Sequence, residues 1–187
     1  MKLKTVNRQL TIFLGLSLVI VFIGGCYTSI GKYKVTKEEI LQAQKGWGNE
    51  LVAVGKAYTD GGNYQKAAQE LINNLYAYQT GEVLFKPTKA SDIEFRTTKE
   101  GALSYFIGHN KKFPEDKGFA LQPWTKVQFN NEAVYINDDV GAAMGKYFFI
   151  PQKGKDVGVE YTFGYVKSKD GKLKIFLHHS SLPYAGN

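Results

Sequence analysis

The richest chemistry in this 187-residue chain lies near its end, where Lys172-Leu173-Lys174-Ile175-Phe176-Leu177 runs into His178-His179-Ser180-Ser181-Leu182-Pro183-Tyr184. Two of the three histidines and two adjacent hydroxyls sit on a segment patterned as a strand. Imidazole exchanges protons near neutral pH, and hydroxyls both donate and accept, so such a strand end can bind and protonate a small polar ligand. Strict alternation along a strand puts Leu173, Ile175, Leu177 and His179 on one face, and Lys172, Lys174, Phe176, His178 and Ser180 on the other. His178 and Ser180 therefore lie side by side. His178 and His179 point apart and cannot share one metal ion unless a bulge re-aims one of them. A three-ligand zinc site would need His109, Asp138 or Asp139 brought in from loops. No metal-spacing motif occurs, so the expectation is a site without a metal, with zinc or manganese as the alternative.

The same residues have plainer readings. A histidine near a strand end is more often a satisfied structural side chain than a catalyst, and Ser180-Ser181 alone would make a turn. The twelve Tyr and twelve Phe suit a sheet and a core better than a stacking platform. No Gly-x-Ser-x-Gly elbow, phosphate loop or Cys–His dyad is present.

Helices come first among the elements that must hold this strand. Thr36-Lys37-Glu38-Glu39 fits a capping box, and Ile40, Ala43, Trp47, Leu51, Val54 and Tyr58 recur at helical steps. Gly46 and Gly48 weaken this helix and point to a close approach. Asp60-Gly61-Gly62-Asn63 is a turn, and a second helix is expected from Tyr64 to about Tyr78, stopped by Thr80-Gly81, with Ala67, Ala68, Leu71, Ile72 and Leu75 facing inward. Glu82 to Lys86 is a short apolar stretch ended by Pro87. Gly101 to Gly108 fits a helix or a strand equally. Strands are expected over 124–130, 132–137, 142–151, 157–168 and 172–180, with turns at Asn130-Asn131, Asp138-Asp139 and Asp170-Gly171. Helices followed by a meander of strands give an α+β domain, with a helical layer on one face of a curved antiparallel sheet around a pocket.

The front of the chain reads as an address. Lys2, Lys4 and Arg8 precede an uncharged apolar run from Thr11 to Ile23, too short for a comfortable bilayer span. Ile23-Gly24-Gly25-Cys26 resembles the lipobox of bacterial lipoproteins. The expected organisation is a signal peptide over 1–25, lipid on Cys26, a tether over 26–35 and one domain over 36–187, exported and membrane-anchored at the periplasmic or extracellular face. Cys26 is the one cysteine, so no internal disulfide supports the fold. The formal charge is +7, and losing the three positives of the signal leaves +4. That mild basicity, without a basic stripe interleaved with aromatics, argues against a nucleic-acid partner.

Several segments taken together resemble the iota-class carbonic anhydrases. They are Leu84-Phe85-Lys86-Pro87-Thr88, Phe95-Arg96, Gly101-Ala102-Leu103-Ser104-Tyr105-Phe106, Glu160-Tyr161-Thr162-Phe163, and Asp170-Gly171-Lys172 with His178-His179-Ser180-Ser181-Leu182-Pro183. That class is related to the association domain of calcium/calmodulin-dependent protein kinase II, within the nuclear-transport-factor-2-like cone fold. The resemblance spans roughly residues 39–184. It implies a pocket that binds CO2 and bicarbonate through a threonine, a tyrosine and a histidine–serine pair, matched here by Thr88, Tyr105, His178 and Ser180. Thr97 and Thr98 stay open as alternatives to Thr88. On this scheme His178, with an ordinary pKa of about 6.5, takes the proton. The family pattern often carries a further histidine at the place of Leu177. Its loss favours metal-free chemistry. The expected assembly is a homodimer paired through the exposed sheet face. Two rival readings keep the fold and change the function: a non-catalytic ligand-binding or oligomerisation module, and an isomerase-like or cyclase-like enzyme using Glu160 or Asp92 as a deep carboxylate base.

Overall fold

Thr36 starts the first helix as a capping residue. In this computed structural model, which describes residues 34–186, its hydroxyl accepts from the Glu39 amide at 3.2 Å, and the Glu39 carboxylate accepts from the Thr36 amide at 2.9 Å. Such a reciprocal cap is worth about 1 kcal/mol. Helix α1 (Lys37–Thr59) buries Ile40, Gln44, Trp47, Leu51 and Val54 along one stripe. Gly48 lets it approach the sheet: a Cβ there would stand 3.0 Å from the Cβ of Val127. Helix α2 (Tyr64–Leu75), capped by Asn63, buries Ala68, Leu71 and Ile72.

The second helix ends earlier than its pattern suggests. Tyr76 is already extended, with φ −105° and ψ 153°, and its backbone bridges to Ile175. That sheet contact replaces another helical turn and sends the Tyr76 ring inward. Strand β1 (Leu84–Lys86) follows, stopped by Pro87. The undecided segment is a helix, α3 (Lys99–Ile107), whose N-cap Thr98 accepts from the Gly101 amide at 3.1 Å. A 3-10 turn at Phe119–Leu121 leads into the sheet strands.

Those are β2 (Trp124–Asn137), β3 (Val140–Pro151), β4 (Val157–Lys167) and β5 (Leu173–Ser181). The sheet has five strands in the order β1-β5-β4-β3-β2, antiparallel except where β1 lies parallel to β5. The expected turn at Asn130-Asn131 is instead a bulge inside one long strand, between Asn131 and Ala133. Gly145 lies opposite, and a side chain there would overlap the Asn130 carbonyl. The turns at Asp138-Asp139 and Asp170-Gly171 form as expected, with Asp138 at φ 51° and Gly171 at φ 80°.

A second irregularity matters more. Gly164 pairs with Leu177 but Tyr165 pairs with Ile175, so Phe176 is an extra residue in β5. Strict alternation grouped Ile175 with Leu177 and His179. The bulge shifts the phase, and Ile175, His178 and Ser180 are the buried residues. The core lies between the helices and this concave face. It is largely aromatic: Trp47, Tyr76, Phe85, Phe106, Tyr147, Phe149, Phe163 and Tyr165 are all essentially inaccessible. Burying each such ring contributes roughly 1.5–3 kcal/mol. The architecture is α+β, helices on one face of a curved sheet. Among the described residues no helix is long and apolar enough to cross a membrane. Residues 1–25 and Cys26 lie outside the described residues.

Candidate active site

His178 sits on β5 with its ring sealed in the core, 2% exposed. It stacks on Phe85 at 4.5 Å between centroids and meets Phe163 edge-on at 4.2 Å. β1 supplies Phe85 because the parallel register sets Phe85 opposite His178. Both ring nitrogens have partners: Nδ1 lies 2.8 Å from the Tyr76 hydroxyl, and Nε2 lies 3.5 Å from the Tyr147 hydroxyl. Burial, and secondarily the neighbouring His179, holds its pKa well below the ordinary 6.5. The ring is therefore neutral at physiological pH, unlike the freely titrating histidine assumed from sequence.

Ser180, two residues on, faces the same way and is equally buried. The Thr88 hydroxyl donates to Ser180 Oγ at 2.9 Å. Thr88 is thus the threonine brought to the pair. Thr98 is occupied as a helix cap, and the Thr97 carbonyl accepts from the Val83 amide. The Tyr105 hydroxyl, from α3, accepts from the Lys89 amide at 3.4 Å and also interacts with Thr88. Burial drives its pKa far up, so it stays a phenol. Tyr147, from β3, is likewise pushed up by burial, against hydrogen bonds with Ser180 and Thr88. Four hydroxyls from four separate segments therefore converge in front of one imidazole.

Sequence reasoning named three of these hydroxyls and missed Tyr147. A signal existed: Tyr147 and Phe149 alternate along β3 toward the core. Tyr76 was also missed, because it was read as helix interior.

The mounting of this cup is ionic. Arg96 is fully buried, with Nη2 2.8 Å from Asp116 Oδ1 and 3.4 Å from Glu115 Oε1. Asp116 also accepts from the Ser104 hydroxyl at 2.6 Å, one residue before Tyr105. The Arg96 amide donates to the Phe85 carbonyl at 2.8 Å, and its guanidinium also reaches the Ile93 carbonyl. Glu115 accepts the amides of Ser91, Asp92 and Ile93. Partial burial raises its pKa, but those amides win and bring it down to about 2. This cluster ties the 87–96 loop, carrying Thr88, to the base of α3, carrying Tyr105.

A cavity of about 180 Å³ opens beside Tyr105, lined also by Lys89, Glu115, Asp116, Lys117, Phe119 and Gln122. It is ample for CO2 and water. A far larger concavity, about 680 Å³, lies on the opposite face of the sheet and contains exposed His179 with Met144, Lys146, Glu160 and Thr162. Size does not locate the chemistry here. The convergent hydroxyls are on the other side.

Glu160 belongs to that outer face, and Asp92 is exposed on a loop. Neither supplies the deep carboxylate that the isomerase-like reading needs. His109 is exposed at the end of α3, away from β5. Among the described residues no three of His, Cys, Asp and Glu are grouped to hold a metal ion.

Comparison with known proteins agrees with this geometry. A protein of Nostoc sp. described as a metal-independent carbonic anhydrase is 46% identical over 160 residues, covering 84% of this chain and 78% of the relative. The crystal structure of a cyanobacterial iota-carbonic anhydrase complexed with bicarbonate superposes with a TM-score of 0.80 at 45% identity, covering 82% of this chain and 95% of that one. A Xanthomonas campestris protein described as a calcium/calmodulin-dependent protein kinase II association domain gives 0.54 at 25% identity, covering 81% and 91%. The family model for metal-independent carbonic anhydrase matches residues 38–182. By that match and that identity, the chain belongs to the metal-independent carbonic anhydrase family.

Proposed function

We propose that this chain hydrates CO2 reversibly to bicarbonate without a metal, in the cup formed by Thr88, Tyr105, Tyr147 and Ser180 in front of His178. The observation that carries this reading is the convergence of those hydroxyls beside an uncharged, buried imidazole. CO2 rests against the rings near Tyr105, where Phe119 stacks at 5.5 Å, while the hydroxyls hold a water in line with its carbon. The water oxygen bonds to carbon, and one C=O electron pair moves onto oxygen. The proton leaves by way of Thr88, the half-buried member of the set, to bulk water, because His178 and Ser180 have no solvent face. Hydroxyl hydrogens then stabilise the new negative charge. Lys86 Nζ, 3.4 Å from the Ser180 carbonyl, adds a favourable positive field for the anion.

A zinc site brings the pKa of its water to about 7, and hydration by hydroxyls alone goes without that help, so the rate is expected to be modest beside zinc enzymes. The test is stopped-flow CO2 hydration by the purified full chain, with and without a chelator. Equal activity in both supports the reading. No activity in either leaves a ligand-binding or oligomerisation module, and loss only with chelator restores zinc or manganese.

The reading extends to the rest of the chain. Residues 1–25 are a lipoprotein signal peptide, Cys26 carries the lipid, 26–35 is a tether and 36–187 is the catalytic domain, on a bacterial membrane at the periplasmic or extracellular face. The positive start, the uncharged apolar run and the Gly-Gly-Cys junction support this. Cys26→Ser should move the protein to the soluble fraction and abolish fatty-acid labelling. Two copies pair through the outer sheet face, a reading supported by its broad concavity and by Met144, which lines it and is 50% exposed. Sedimentation equilibrium measures that mass directly.

A further inference from the structure

Behind His178 lies a chain of hydrogen bonds whose first member can act in only one way. Trp47 Nε1 is 2.9 Å from the Tyr76 hydroxyl oxygen, and the Tyr76 hydroxyl is 2.8 Å from His178 Nδ1. All three side chains are buried: Trp47 and Tyr76 are 1% exposed and His178 2%. An indole N–H donates and never accepts. Tyr76 must therefore accept from Trp47, which leaves its own hydrogen for another partner. His178 Nδ1 is the acceptor placed to take it. In the opposite arrangement Nδ1–H and the indole would both donate to Tyr76, and the phenolic hydrogen would be buried without an acceptor. Interiors avoid that.

We infer that Trp47, acting through Tyr76, fixes His178 in its Nε2–H tautomer, so that the imidazole donates toward Tyr147 and the hydroxyl cup instead of accepting from it. Tyr147, receiving from Nε2 at 3.5 Å, is left with its single hydrogen for one of its two hydroxyl neighbours, Ser180 or Thr88. Every link from α1 onward then donates toward the cup, and hydrogen bonds arrayed head to tail polarise one another. The last hydroxyl presents hydrogen to whatever oxygen becomes negative. Trp47 is a positioning residue: it touches no substrate, and it decides which imidazole nitrogen carries the hydrogen. The low basicity of the buried ring is consistent with a fixed neutral donor.

The tautomer stands on geometry alone; its effect on rate rests on the proposed hydration reaction. The experiment is ¹⁵N NMR of the full chain labelled at histidine, with His178 assigned by loss of its signals in His178→Gln. The expected wild-type spectrum has Nε2 protonated and Nδ1 bare. In Trp47→Phe the smaller ring leaves room for a water that can accept the Tyr76 phenolic hydrogen, so a measurable Nδ1–H population should appear and hydration should fall about tenfold. Tyr76→Phe, which removes the relay without opening a large cavity, should give the same two changes if Trp47→Phe does not fold. A wild-type His178 with Nδ1–H dominant, or unchanged tautomer and rate in a folded variant, overturns the inference. An Nε2–H wild type without CO2 hydration would instead sink the proposed reaction and leave the tautomer argument standing.

Discussion

The two faces of one sheet treat neighbouring histidines in opposite ways. His178 and His179 differ by one step along β5, yet the first is sealed among Phe85, Phe163, Tyr76 and Trp47 while the second stands in an open concavity beside Glu160 and Lys146. Burial lowers the basicity of the inner ring, which has two hydroxyl partners. Burial turns an imidazole from a proton carrier into an oriented hydrogen-bonding fixture. The outer concavity is larger, and there the hydroxyls of Thr162 and Ser181 stand among the charged side chains of Glu132, Lys146 and Glu160. What separates a site from a mere hollow here is the direction in which hydrogens point.

The sharpest way to break the contrast is to unseat the inner face altogether. Asp116→Asn strips the carboxylate from fully buried Arg96 and should cost about 3–5 kcal/mol, read by urea denaturation. A loss under about 1 kcal/mol would mean that the ion pair does not hold the cup. Next comes the chemistry. Thr88→Val or Ser180→Ala should each lower the hydration rate by about 10²–10³-fold with the fold intact by circular dichroism, as losing one preorganised donor typically does. An undiminished rate in either would move the reaction elsewhere.

Acid should separate the faces more gently. Above pH about 6.5 His178 is neutral folded or unfolded; below it the unfolded chain gains a proton that the native ring refuses. Stability should therefore fall as pH drops from 6.5 toward the depressed folded pKa, by at most about 1.4 kcal/mol per pH unit. His178→Gln should flatten that slope between pH about 6.5 and 5, measured by denaturation midpoints. Finally, His179→Ala should change stability by no more than about 0.5 kcal/mol and leave hydration unchanged. A rate collapse in that variant would put the chemistry on the outer face and end the comparison.

Much of the scaffold was legible because its signals are local. The capping box at Thr36, the turn at Asp170-Gly171 and the helical stripe through Trp47 need only near neighbours. The pairing of His178 with Ser180 followed from alternation, which holds over two residues. It failed over three: the extra residue Phe176 moves Ile175 to the same side, and nothing in the letters of β5 announces that bulge. Asn130-Asn131 looked like a turn because asparagine favours turns, but cross-strand Gly145 makes room for a bulge instead. Thr88 and Tyr105 came from family resemblance alone, since no local pattern joins residues 92 positions apart such as Thr88 and Ser180. The Trp47–Tyr76–His178 line was hidden for the same reason. Its members come from one helix, one helix end and one strand, and each looked like ordinary core.

One topological detail bears on how such a protein comes to work at all. The segment holding His178 and Ser180 is last among the strands in sequence but slots between two others, β4 on one edge and short β1 on the other. A nascent polypeptide lacking it has an open seam where the imidazole belongs, and β1 has no neighbour to pair with. Competence therefore arrives in one late step, when that final ribbon closes the gap, and a partly made or clipped chain should be inert rather than weakly active.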